Sequence, residues 1–224
     1  MSETRDNDST RAFDDQDELD PREAARLVEQ TSRQARRAFD PSSPLAAVAG
    51  AGVFLIGYGA VWWSLRDQGT YVGPAGWSVA VLYGAIALGA VFAGTMGRRA
   101  TAGIGGKARR QLQAQAVAVW AAGVGAWVVE GALRYLGVSD KIVYGVYGPT
   151  VPLIALAGAA AGIAAMRERW PELGLSVAII AVASVSTFFG PSGAWGLTGL
   201  GCAVALLVYA SVVARRRGMA AAQL

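Results

Sequence analysis

One carboxylate stands inside a long apolar stretch of this sequence. Glu130 lies near the end of the run 114–133, which carries no other charge, and Arg134 follows four residues later. A charged group inside an apolar helix is costly and often marks an ion or substrate pathway. Residues four apart on a helix share a face, so Glu130 and Arg134 can instead form an ion pair at the helix end. We expect the ion pair, because the apolar runs contain no second acid, lysine or histidine from which to build a proton relay.

A second candidate is a proline-containing segment with two tyrosines. Tyr144, Tyr147, Pro149 and Pro152 lie close together near the start of the next apolar run, 142–166. Each proline lacks a backbone N–H, so carbonyl groups one turn earlier lose their usual partners. Freed carbonyls beside two phenols could bind a small cation or another substrate. The commoner outcome for such a stretch is a kink, or a helix that begins only at Pro149.

Composition argues against most other chemistry. The chain has no histidine and a single cysteine, Cys202, so it lacks imidazole ligands, imidazole bases and disulfides. We find no nucleotide-binding loop of the type G-x-x-x-x-G-K-[ST], no catalytic dyad and no cluster of metal ligands. We therefore expect no enzymatic activity, no cofactor and no bound metal.

The elements that carry these residues are predicted to be transmembrane helices. Hydrophobic residues make up 54% of the chain, and 11 of its 16 acidic residues lie within residues 1–41. About 20 apolar residues are needed for one helix to cross a bilayer. The sequence therefore predicts an all-α, polytopic membrane protein whose domain 45–214 is a bundle of six transmembrane helices. The predicted spans 1 to 6 are 45–65, 76–96, 114–133, 142–166, 173–189 and 194–214.

The distribution of Lys and Arg predicts the orientation of the bundle. From residue 33 onward, 13 of them lie before span 1, between spans 2 and 3, between spans 4 and 5, or after span 6. Only Arg66, Arg134 and Lys141 lie on the other side. Because basic connections stay inside, we expect both termini in the cytoplasm and the chain in the cytoplasmic (inner) membrane of a bacterium. Aromatic residues expected near the outer boundary are Trp62, Trp63, Trp77, Tyr135, Tyr144 and Trp195.

The segment before span 1 divides into two parts. Residues 1–19 are acidic and polar with almost nothing to bury, so we expect a disordered tail. A cytoplasmic amphipathic helix is predicted over 20–39, because Asp20 is a good N-cap, Pro21 suits the first turn and Glu23 follows. This helix could lie on the inner leaflet, dock on a partner, or be a solvated helix whose arginines serve only topology.

Small residues at four-residue spacing predict close contacts between helices. The pattern is expected in any compact bundle, and it leaves the oligomeric state open. Its members are Ala85, Gly89 and Ala93 in span 2, Gly158 and Gly162 in span 4, and Gly201 and Ala205 in span 6.

Two resemblances bear on function. Residues 23–28, 35–37, 40–41, 62–63 and 73–77 resemble the corresponding parts of a group of multi-pass membrane proteins of high-GC Gram-positive bacteria, a group without an established activity. The order of amphipathic helix, six spans and a basic loop after span 2 is similar to permease subunits of ABC-2-type exporters. That similarity implies contact between residues 98–110 and an ATPase.

These observations leave two functions in competition. The first is a non-catalytic subunit or regulator that acts through a protein partner at the cytoplasmic face, contacted by residues 20–39 and 97–112. The alternative is a small transporter or permease subunit that uses the proline-containing segment of span 4. In either case the surroundings are the lipid bilayer, no nucleic acid is involved, and residues 215–224 form a basic cytoplasmic tail.

Overall fold

The computed structural model describes Arg26, residues 44–101 and residues 107–222. The predicted tail 1–19 and, except for the helical and exposed Arg26, the predicted helix 20–39 lie outside the described residues. Residues 102–106 of the basic loop also lie outside them. Pro41–Leu224 forms one compact unit. All regular secondary structure in the described residues is helical.

Helices follow one another with short connections through the described part of the chain. Two of them contain a π-helical turn, at Phe54–Tyr58 in the first and at Val143–Tyr147 in the fourth. A short 3-10 turn, Thr187–Phe189, joins the fifth to the sixth. The helices are α1 (Pro44–Leu65), α2 (Gly76–Thr101), α3 (Lys107–Tyr135), α4 (Asp140–Met166), α5 (Trp170–Ser186) and α6 (Gly190–Ala222).

Five stretches of the described residues are long and apolar enough to cross a membrane. The last, Trp170–Arg216, has 47 residues. A straight helix of that length would measure about 70 Å, more than twice the hydrocarbon core of a bilayer. The stretch instead folds back on itself at Gly190, whose φ of 71° lies in the region that favours glycine. The other four are Pro44–Leu65, Gly76–Thr95, Gln113–Tyr135 and Asp140–Met166.

The two halves of the last stretch, α5 and α6, pack side by side in opposite directions. The hydroxyl groups of Ser186 and Thr198 are 2.6 Å apart and buried, and Gly201 lies against Val182. Thr198 meets Ser186, and the later residue Gly201 meets the earlier residue Val182. The two helices are therefore antiparallel. The two hydroxyl groups form a hydrogen bond with each other, so both are satisfied without water.

Helix α6 is central and packs against α1, α4 and α5. Its contact with α1 is close, since a Cβ on Gly199 would lie 2.5 Å from the Cβ of Tyr58. Its contact with α4 is equally close, since a Cβ on Gly145 would lie 2.7 Å from the Cβ of Pro191. The outer members are α2, which packs on α1, and α3, which packs on α4. A core cluster is formed by Tyr58, Val61, Leu65, Leu82 and Trp195.

The small residues predicted to bring helices together do so only in part. A Cβ on Gly89 would lie 2.8 Å from Val53, and one on Gly201 would overlap Val182. At Gly158 and Gly162 a Cβ would meet no described atom within 4 Å, so the prediction is wrong for this pair. Spacing shows that small residues share a helix face, but not which face meets a neighbouring helix.

The contact at Gly199 can be tested by adding one methyl group. We expect Gly199→Ala to lower the free energy of unfolding by about 1–3 kcal/mol, because neither the Tyr58 Cβ nor the backbone can rotate away. Gly158→Ala is the matched control and should be neutral or up to about 1 kcal/mol stabilising, since alanine is the better helix former. Thermal unfolding in one detergent measures both. Equal Tm values for the two variants would contradict the close packing of α6 on α1.

Candidate binding cavity

A cavity of about 540 Å³ lies between α1, α2, α3, α4 and α6. It occupies the end of the bundle at which residues 66–75 join α1 to α2, residues 136–139 join α3 to α4, and Thr187–Phe189 join α5 to α6. We call this the cavity end. Most of the wall is apolar. Its aromatic members are Tyr58, Tyr83, Trp127, Tyr144 and Trp195, and its two carboxylates are Glu130 and Asp140.

Glu130 lies half-buried in the wall of this cavity. The predicted ion pair with Arg134 is not formed, and among the described residues no hydrogen bond or ion pair engages the carboxylate. The Arg134 guanidinium lies over the ring of Tyr144 instead, 4.8 Å from its centre. An aromatic face attracts a guanidinium, and α4 brings that face next to the last turn of α3. The spacing of Glu130 and Arg134 within α3 could not show that the Tyr144 ring of α4 lies beside Arg134.

The proline-containing segment is a continuous part of α4, which begins at Asp140. A helix start only at Pro149, one of the two outcomes that the sequence left open, is therefore excluded. Widening of the helix into the π turn Val143–Tyr147 accommodates the proline, with the Gly148 N–H donating to the Val143 carbonyl. That bond withholds the Gly148 N–H from the Tyr144 carbonyl, and Pro149 has no N–H to replace it. The segment thus does contain a freed carbonyl, as expected.

A side chain from α6 uses this freed carbonyl. The indole N–H of Trp195 donates to the Tyr144 carbonyl oxygen at 3.0 Å. Trp195 is buried near the start of α6, at the cavity end of the bundle. A buried indole needs an acceptor and a buried carbonyl needs a donor, so each removes the cost of the other. The bond fixes α6 against α4 at the wall of the cavity.

Two phenols attach the neighbouring helices to the same region. Tyr58 of α1 donates to the Pro149 carbonyl at 3.2 Å, and Tyr147 of α4 donates to the Ala126 carbonyl of α3 at 2.9 Å. Pro152 and Gly148 both line the cavity, and Pro152 can offer no N–H to the Gly148 carbonyl. The α4 backbone is therefore the part of the wall around which α1, α3 and α6 are arranged.

The candidate residues derived from the sequence divide into two groups. Glu130, Tyr144 and Pro152 line the cavity, whereas Arg134, Tyr147 and Pro149 lie outside its wall. The lining residues that sequence reasoning missed are Tyr58, Tyr83, Trp127, Asp140 and Trp195. Asp140 could have been suspected, since it is an acid directly before a span, but nothing in the sequence shows that it lines the same cavity as Glu130.

The connection 66–75 borders the cavity through Val72, Gly73 and Pro74. The side chain of Gln68 fixes the fold of this connection. Its amide nitrogen donates to the carbonyls of Ser64 and Gly73 at 3.0 and 2.9 Å, and its oxygen accepts from the Val72 N–H at 3.0 Å. The Tyr71 hydroxyl beside it is buried, with no hydrogen-bond partner among the described residues.

Burial is the main cause of the raised pKa of Tyr71. Together with the neighbouring Asp140 and Tyr144, it raises the pKa of the Tyr71 phenol to about 12. The phenol therefore stays neutral at physiological pH, where it can still donate a hydrogen bond. The connection 66–75 thus contains one buried hydroxyl without a hydrogen-bond partner in the described part of the chain.

The weak packing of α2 against α3 leaves the cavity open between these two helices. These helices are consecutive in the chain, yet among the described residues they share at most isolated contacts. Only 11% of the most apolar stretch of α2 and 6% of that of α3 are buried in the protein. Tyr83 of α2 and Trp127 of α3 line the cavity from either side and remain 52% and 62% exposed.

The arrangement is suited to binding. Apolar and aromatic walls with a few polar groups at fixed positions are typical of sites for small organic molecules. Among the described residues, no group of three or more His, Cys, Asp and Glu side chains could hold a metal ion. No protein-family model, no curated protein and no solved structure matches this chain.

The bond between Trp195 and Tyr144 can be tested by removing its donor. We expect Trp195→Phe to lower the free energy of unfolding by about 1–3 kcal/mol, because it leaves a buried carbonyl unpaired. Trp170→Phe is the control, since that side chain is 73% exposed. The loss should be smaller in a Pro149→Ala background, where residue 149 regains an N–H. Thermal unfolding of the unmodified protein, the two single variants at 149 and 195 and the double variant measures this difference. An equal loss of stability in both backgrounds would contradict the role given to Pro149.

Proposed function

We propose that this chain is a six-span protein of a bacterial cytoplasmic membrane with both termini in the cytoplasm. In this arrangement Trp170–Arg216 crosses twice, as α5 and α6. Two observations support it. Two separate crossings by α5 and α6 would require the antiparallel packing that these helices have, and of the basic residues in the described part of the chain the order of helices leaves Arg66, Arg134 and Lys141 at the cavity end. The more basic end then faces the cytoplasm, and the cavity lies in the outer half of the membrane.

The proposed function is to bind a small organic molecule in the cavity, as a small transporter or a permease subunit. The observation that carries this is the cavity itself, whose volume of about 540 Å³ lies within the range of roughly 300–1,000 Å³ found for ligand sites. Its walls also include both π-helical turns, through Tyr58 at the end of one and Tyr144 within the other. Such turns are frequent at functional sites, where they let a helix adjust.

A second candidate is a non-catalytic subunit or regulator that acts through a cytoplasmic partner. The observation that favours it is the length of two helices. The apolar stretches end at Thr95 and begin again at Gln113, but α2 continues to Thr101 and α3 begins at Lys107. Most of the basic segment 97–112 is thus helical, which would give a partner a firm surface. This candidate requires no ligand in the cavity, so blocking the cavity separates the two.

The six-span topology predicts the behaviour of reporter fusions. Alkaline phosphatase fused after Val138 or after Phe189 should be active, because both positions face the outside. The same enzyme fused after Leu224 should be inactive, while a green fluorescent protein there should fluoresce. An active phosphatase after Leu224, or an inactive one after Phe189, would contradict the two crossings of Trp170–Arg216.

The binding function predicts that filling the cavity removes a ligand. Ile86 lines the cavity from α2, whereas Leu88 on the same helix does not. We expect Ile86→Trp to weaken the binding of a tetraphenyl probe by about tenfold or more through steric exclusion, and Leu88→Trp to leave it unchanged. Equilibrium dialysis of protein in lipid nanodiscs, corrected with empty nanodiscs, measures this for cationic, neutral and anionic probes. If none of the three probes binds to the unmodified protein, the binding function is wrong and the partner function is favoured.

A further inference from the structure

We propose that the ligand of the cavity is a hydrophobic organic cation whose charge is balanced by Glu130. This inference rests on the proposed binding function and adds the chemical class of the ligand. It is carried by the charges that line the cavity, by the aromatic wall and by the open side between α2 and α3.

The first argument is that Glu130 has no direct ion-pair partner among the described residues, although the charge of Arg134 acts on it from a greater distance. Its carboxylate is half-buried among apolar groups, and no described residue pairs with it. The nearest cation along the helix, Arg134, is placed over the Tyr144 ring and is not part of the cavity wall. An ionised carboxylate in apolar surroundings is costly unless a positive charge lies beside it. A cationic ligand would supply that charge.

The second argument is the sign of the remaining charges. Of the described residues that line the cavity, the charged ones are Glu130 and Asp140, and both are acids. Arg66 is another cation at the cavity end. Its guanidinium lies 3.5 Å from the centre of the Trp63 ring and pairs with Asp67. Lys141 is exposed and outside the wall. A cation inside the cavity therefore meets negative charge, and an anion would be repelled.

The third argument concerns the shape and polarity of the ligand. Aromatic faces attract cations, and Tyr83 and Trp127 line the cavity with no cation of the described residues over their rings. A small inorganic ion would lose its hydration in a mostly apolar wall that provides few oxygen ligands. An organic cation keeps its apolar groups against that wall and brings only one charge to Glu130. The chemistry of the wall therefore fits an onium or ammonium group that carries apolar substituents.

The open side supplies a way in. Because α2 and α3 share at most isolated contacts among the described residues, a membrane-dissolved molecule can reach the cavity between them. Hydrophobic cations dissolve in the outer region of a bilayer, where apolar groups are buried and charge stays near the surface. Both a free hydrophobic cation and the ammonium headgroup of a lipid share this chemistry and this route.

The experiment compares aromatic probes that differ in charge, of which the phosphonium and the borate share one shape and the neutral oxide is slightly smaller. Tetraphenylphosphonium, tetraphenylborate and the neutral triphenylphosphine oxide are titrated against the full chain in nanodiscs of phosphatidylglycerol. We expect the phosphonium to bind best, and Glu130→Gln to weaken it by about tenfold or more. Glu130→Asp, which keeps the charge, should retain most of the binding. Asp67→Asn removes an acid at the same end but outside the wall, and it should have no effect. The Tm of each variant checks folding independently.

Each result has a defined meaning. If the oxide or the borate binds as well as the phosphonium, or if Glu130→Gln binds the phosphonium normally, the cavity binds small molecules but not by the charge of Glu130. If none of the probes binds, the proposed function itself fails. A repeat in nanodiscs that contain phosphatidylethanolamine identifies the natural source. After each value is corrected with empty nanodiscs of the same lipid composition, weaker phosphonium binding there indicates a competing lipid headgroup, and unchanged binding indicates a free cation.

Discussion

The organisation of the cavity depends on how the backbone of α4 satisfies its polar groups around Pro149. An apolar environment provides no water to pair with a carbonyl, so a group freed by proline must find a partner within the protein. The π turn before Pro149 leaves the Tyr144 carbonyl free, and the indole of Trp195 pairs with it. The Pro149 carbonyl receives the phenol of Tyr58. These two bonds place α6 and α1 against α4 and fix three walls of the cavity.

The uneven packing of the bundle follows from where glycine lies. Helices surrounded by lipid gain little from burying apolar side chains, so close contact depends on small residues and hydrogen bonds. Helix α6 has both, since Gly199 and Gly201 admit α1 and α5 and the Thr198 hydroxyl pairs with Ser186. Helices α2 and α3 lack such contacts with each other in the described part of the chain. The cavity is therefore closed on the α6 side and open between α2 and α3.

The sequence allowed the apolar helices to be predicted and named Glu130 and Tyr144 as candidates, but it did not reveal the walls of the cavity around them. Runs of apolar residues determine where a helix can cross a membrane, and five such stretches are present in the described residues. The contact between Trp195 and Tyr144 joins residues 51 positions apart and depends on a π turn, which a period of 3.6 residues cannot reveal. Gly158 and Gly201 both begin a pair of small residues four apart, but only Gly201 meets a neighbouring helix, which the spacing cannot show.

The position of Arg134 decides whether Glu130 is structural or available. Had the two formed the pair that their spacing permits, the carboxylate would have been neutralised within α3 and the cavity would have had no buried charge. Because α4 begins at Asp140, its first turns bring the Tyr144 ring under the guanidinium, which then lies 4.8 Å from the ring centre. The attraction between an arginine and an aromatic face is comparable to that of an exposed ion pair, on the order of 1 kcal/mol, so a small change in helix geometry is enough to choose between them. The π turn that accommodates Pro149 lies in this part of α4, and the geometry of that turn thereby helps to leave the acid facing the cavity.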